Sequence, residues 1–115
     1  MTKRNDVERF LAEFKVKTKF YNIVFRDDRG KNQQTLLDLD ITPTYRLGII
    51  NRLTADDYSE GPLTDKLNKG TDLWVFGSVV KQREVYIKIT MGNVGCPTIC
   101  ISFHLAEHPI TYKFK

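Results

Sequence analysis

The sequence predicts one α+β domain, in which a C-terminal antiparallel sheet of three or more strands packs one face against N-terminal helices. Three observations carry this. Val7, Phe10, Leu11 and Phe14 recur at i, i+3, i+4 and i+7, the apolar stripe of an amphipathic helix. Two runs near the other end alternate apolar and polar residues, as strands with one buried and one solvated face do. A chain of 115 residues, 41% hydrophobic and 28% charged, has the size and composition of one ordinary core, so the domain is taken as residues 1–115. That length buries enough apolar surface to fold without disulfides or metal.

The first helix is predicted over residues 5–16, with Asn5 and Glu8 at capping-box spacing. Residues 19–26 are rich in aromatic and β-branched types and predict a strand, followed by a turn at Asp27-Asp28-Arg29-Gly30. Residues 33–39 fit neither period. Thr42-Pro43 announces a second helix, with Thr as N-cap and Pro at the first helical position. It should carry Leu47, Ile50 and Leu53 inward and end near Arg52. Residues 54–71 are polar, contain Gly61-Pro62 and Gly70, and read as a loop with a short helical turn. Strands follow over 72–80, 84–91 and 98–105, the first two joined by a tight hairpin at Lys81-Gln82-Arg83. The tail from Ile110 to Lys115 could add a short edge strand.

Several function classes are excluded at this level. No apolar run approaches the ~18–20 residues of a membrane span. Met1 to Asp6 turns polar and acidic at once, without the apolar core of a signal peptide, so a cytoplasmic protein with no membrane partner is expected. Cys96 and Cys100 stand in a C-x3-C spacing without a second pair. On one extended strand their Cα atoms lie roughly 13 Å apart at ~3.3 Å per residue, beyond the ~7 Å limit of a disulfide. They read as reduced, small packing residues, and no metal site or cofactor motif is expected. Trp74 and Phe76 read as core and His108 as structural. The net charge of +4 is a mild bias toward polyanions.

The alternating runs locate the candidate chemistry. In 84–91, Val85, Ile87, Ile89 and Met91 share a face opposite Glu84, Tyr86, Lys88 and Thr90. In 98–105, Ile99, Ile101, Phe103 and Leu105 share a face opposite Thr98, Cys100, Ser102 and His104. The polar face then presents Tyr86, Lys88, Ser102 and His104 together. Such a set suits metal-free RNA cleavage, in which a ribose 2′-OH attacks the adjacent phosphate. A base takes the 2′-OH proton, a cation offsets charge on phosphorus, and an acid protonates the leaving 5′-oxygen. His exchanges protons near neutrality, Lys meets phosphate, and Tyr donates to a phosphate oxygen or stacks on a base. A solvated strand face commonly carries the same residue types, so a non-catalytic nucleic-acid- or protein-binding module is the rival reading.

The stretches Asp57-Tyr58, Gly70-Thr71-Asp72-Leu73-Trp74-Val75-Phe76-Gly77, Glu84-Val85-Tyr86-Ile87-Lys88-Ile89-Thr90 and Ile99-Cys100-Ile101-Ser102-Phe103 resemble the MqsR family of bacterial toxins. The resemblance implies a RelE-like fold and an mRNA interferase, the toxin of a type II toxin–antitoxin system, with RNA and a cognate antitoxin as partners. The family's strand tyrosine and the lysine two residues on fall on Tyr86 and Lys88. Its basic residue after the Ser-Phe pair is here His104. A family glutamine is replaced by Val75 and a family lysine by Glu60. Tyr86, Lys88 and His104 are therefore the expected catalytic residues of a metal-independent endoribonuclease that needs no cofactor. His104 is assigned proton transfer, Lys88 the phosphate charge and Tyr86 a phosphate or base contact. Lys81, Arg83 and Ser102 are the candidate substrate-binding residues.

Overall fold

The apolar stripe at the N-terminus forms a helix longer than the stripe itself. The computed structural model describes Met1–Lys115, the side chain of Arg29 excepted. Helix α1 spans Arg4–Phe20 and buries Val7, Phe10, Leu11 and Phe14. It starts earlier than Asn5 because the Asp6 carboxylate accepts the Lys3 N–H at 2.8 Å. It also runs past residue 16. Lys17 Nζ donates to the carbonyls of Met91 (2.7 Å) and Asn93 (2.9 Å), which ties the last turn to a distant loop. The strand expected over 19–26 shrinks to β1, Val24–Phe25.

A 3₁₀ turn at Asp27–Arg29 leads into α2, Lys31–Leu39. This segment fits no apolar period because part of its buried work is polar. Asn32 Nδ2 donates to the carbonyls of Arg26 (3.0 Å) and Ile101 (3.2 Å), and its Oδ1 accepts the Phe103 N–H at 2.9 Å. Thr35 Oγ1 accepts the Leu105 N–H at 3.3 Å. Helix α2 thus lies along a strand edge and satisfies it with side chains, where a bare edge would invite another chain. Helix α3, Pro43–Asn51, starts as its Thr-Pro signal predicts, with Thr42 Oγ1 accepting the Tyr45 N–H at 3.1 Å. It buries Arg46, whose guanidinium meets Asp27 through two bonds of 3.0 and 3.1 Å and lies 3.6 Å from the Phe25 ring centroid.

The remaining strands are β2 (Tyr58–Leu63), β3 (Leu73–Val80), β4 (Arg83–Thr90) and β5 (Ile99–Leu105). They form one sheet in the order β1-β5-β4-β3-β2. Strands β2 to β5 are antiparallel neighbours, but β1 pairs parallel with β5. The fold is α+β with a mixed sheet rather than a purely antiparallel one. Strand β2 lies in a segment expected to be loop, and the expected tail strand does not form. The β3–β4 hairpin turns at Lys81 and Gln82, both at positive φ (49° and 69°), the mirror-image turn whose twist suits two-residue hairpins.

The core lies between α1, α3 and the inner sheet face. Phe10 stacks on Trp74 with centroids 4.4 Å apart, and Phe76, Ile87, Phe103, Ile49 and Ile50 are buried around it. The register also corrects the reading of β5. Lys88 pairs with Ser102 but the next residue, Ile89, pairs with Cys100, so Ile101 is an extra residue in a bulge. Beyond it the alternation inverts. Cys100 turns into the core and is fully buried. Cys96, read from the sequence as a packing residue, is exposed.

Candidate functional site

On the outer sheet face, β4 and β5 place Tyr86 opposite His104 and Lys88 opposite Ser102. The bulge falls after this pair, so all four side chains share the face that alternation assigned them. They stand in a cleft of about 720 Å³, within the range of small-ligand sites. The Tyr86 and His104 rings stack with centroids 5.2 Å apart and planes 17° from parallel. Lys88 Nζ lies 5.8 Å from the Tyr86 centroid.

Each group is in a usable state. His104 Nδ1 lies 3.0 Å from the Leu105 carbonyl, which can only accept. In the neutral ring the proton is therefore on Nδ1, and Nε2 is left as the acceptor. Burial, and then the nearby Glu60 carboxylate, push the Tyr86 phenol above its ordinary range, so it remains a donor at neutral pH. Lys88 forms no ion pair among the described residues.

The cleft draws on more of the chain than the sheet. Arg26, from the segment after β1, and Lys31, from α2, line one side, and Lys113 lines another. Lys31 Nζ meets Glu107 at 2.7 Å. That contact holds the Glu107 carboxyl below its usual range, with smaller pulls from His104 and His108. Four cationic side chains (Arg26, Lys31, Lys88 and Lys113) thus face two carboxylates (Glu60 and Glu107), beside two imidazoles. The balance suits a phosphodiester chain. Among the described residues, no group of three or more His, Cys, Asp or Glu side chains stands together to hold a metal ion.

No protein-family model, curated protein or solved structure matches this chain. The chemistry of the cleft is read from its own side chains.

Of the six residues singled out from the sequence, Tyr86, Lys88, His104 and Ser102 line the cleft, and Lys81 and Arg83 do not. Lys81 sits in the hairpin turn and donates to the Asp40 carbonyl at 3.0 Å, a cation at the C-terminus of α2. Arg83 is exposed at the same end of the sheet, in a shallower depression with Glu107 and His108. Arg26, Lys31, Lys113 and His108 were not legible as cleft residues, because they come from segments whose path is set by distant contacts. One sequence signal could have found the tail alone: Gly77 sits in mid-strand opposite Tyr86, and the absence of a Cβ there makes room for the side chains of Ile110 and Tyr112.

Proposed function

We propose that this outer-face cleft binds RNA and that the protein is a metal-independent endoribonuclease, a cytoplasmic toxin of the MqsR type restrained by a cognate antitoxin. The observation that carries the reading is the Tyr86–His104 stack with Lys88 beside it, three complementary groups aimed into one basic cleft. In the reaction, Nε2 of His104 takes the 2′-OH proton as the 2′-oxygen bonds to phosphorus. The bond from phosphorus to the 5′-oxygen breaks, the leaving 5′-oxygen takes a proton from solvent water, and the His104 imidazolium returns its proton to solvent. Lys88 offsets the negative charge on the phosphoryl oxygens, and the protonated Tyr86 donates to one of them. The products are a 2′,3′-cyclic phosphate and a 5′-hydroxyl. Among the described residues, no helix is long and apolar enough to cross a membrane.

A second reading has its own observation. The resemblance places a polar family residue at Val75, which is 1% exposed and offers no hydrogen-bonding side chain. A cleft lacking that group fits a module that binds without cutting. Incubating purified protein with single-stranded RNA in excess EDTA separates the two. Cleavage with cyclic-phosphate ends supports the nuclease. Binding without cleavage supports the module, and absence of both overturns the RNA reading.

A further inference from the structure

The segment after β5 does not join the sheet; it crosses the outer face and walls the cleft. Ala106 N–H still donates to the Glu84 carbonyl at 2.9 Å, and then the chain leaves the ladder. Farther on, one carboxylate catches it twice. Glu84 Oε1 accepts the Ile110 N–H at 2.9 Å, and Oε2 accepts the Tyr112 hydroxyl at 2.8 Å. Beneath this clamp lies Gly77. A Cβ there would stand 2.5 Å from Tyr112 Oη and 2.8 Å from Ile110 Cδ1, so only glycine lets the segment lie this close to the sheet. Past the clamp, Lys113 N–H donates to the Tyr58 carbonyl at 3.3 Å, the Phe114 ring stacks on Tyr58 at 5.3 Å, and Arg4 Nη1 reaches the Phe114 carbonyl at 3.2 Å. The segment is anchored at both margins of the cleft, with Lys113 and His108 among the cleft's lining residues.

Building on the RNA reading above, we propose that residues 106–115 are a strap that forms the second half of the RNA cleft. Lys113 is its phosphate contact, and Glu84 is the positioning residue that sets it. The alternative is a strap that only covers the outer face. Charge separates the two. Releasing counterions from a single strand contributes a slope of about 0.7 per neutralised phosphate to a plot of log affinity against log salt.

The test measures binding of a non-cleavable 2′-O-methyl oligoribonucleotide over a range of salt. Lys113→Ala changes an exposed side chain and leaves the fold intact. It should weaken binding and reduce the slope by about 0.7. Lys66→Ala, an exposed lysine outside both the strap and the cleft lining, should leave both unchanged. Glu84→Ala and Gly77→Ala, which release or displace the strap, should cause the same slope loss, and adding Lys113→Ala to either should cost nothing further. If the wild type binds but these slopes equal the wild-type slope, the strap has only a structural role and the inference falls while the RNA reading stands. If the wild type does not bind the oligonucleotide at any salt, the RNA reading fails first.

Discussion

Replacing Asn32 by Ala should destabilise this protein more than its small size and polar character suggest. Asn32 is 4% exposed, and its amide supplies both a donor and an acceptor to the edge of β5. Truncation strands one buried backbone group, the Phe103 N–H. The other two partners, the carbonyls of Arg26 and Ile101, belong to half-buried residues that water can reach. A buried backbone group left without a partner costs about 1–3 kcal/mol, so the loss should be about 2 kcal/mol. That is a large part of the ~5–15 kcal/mol that holds an ordinary domain. At roughly 4 °C per kcal/mol for this chain length, Tm should fall by about 8 °C. Urea unfolding followed by far-UV circular dichroism should show a lower midpoint with an unchanged m-value. Asn32→Asp should be at least as damaging, because a carboxylate would face the carbonyls of Arg26 and Ile101. Gln34→Ala, on the exposed side of α2, should stay within about 0.5 kcal/mol of wild type. An Asn32→Ala protein within that same margin would refute the edge-capping role of α2.

Two further outcomes follow from the same structure. A thiol reagent should label Cys96 at once and Cys100 only on unfolding, since burial pushes the Cys100 thiol up to about 12. The raised value means that Cys100 stabilises the fold fully below the unfolded thiol pKa of ~8.5 and progressively less as pH rises toward about 12; unfolding free energy should therefore fall through that window, and less steeply in Cys100→Ala. His104→Ala should lower the rate of RNA cleavage by about 10²–10⁴-fold. His104→Lys supplies a cation in place of the accepting Nε2 and should not restore the rate; a fully active Lys variant would show that His104 supplies only charge.

How far the sequence reached depends on which contacts decide each element. Val85, Ile87 and Ile89 alternate without interruption, so the face carrying Tyr86 and Lys88 was legible. Strand β5 was legible only from Ser102 to Leu105, because the extra residue Ile101 bulges and inverts the side chains that precede it, and Cys100 was assigned to the wrong face. Helix α1 overran its predicted end because Lys17 is held by carbonyls more than seventy residues away. Strand β2 was hidden by Gly61 and Pro62, which read as loop residues yet sit on an edge strand that tolerates them. The strap was hidden for the same kind of reason. Nothing local to Ile110 or Tyr112 says that Glu84 and Gly77 will receive them. Lys81 misled in the other direction, since a lysine in a hairpin turn suggests a free cation, and here it caps α2.

The central claim, that the cleft turns the ribose 2′-OH of a bound strand against its own phosphate, is tested most directly by deleting that hydroxyl. Cleavage of an RNA oligonucleotide is compared with that of the same strand carrying a single 2′-deoxy nucleotide at the cleaved position, with binding measured in parallel. The mechanism requires that the substituted strand bind nearly as well and resist cutting at that position. Efficient cutting of the substituted strand, or of DNA, would contradict it.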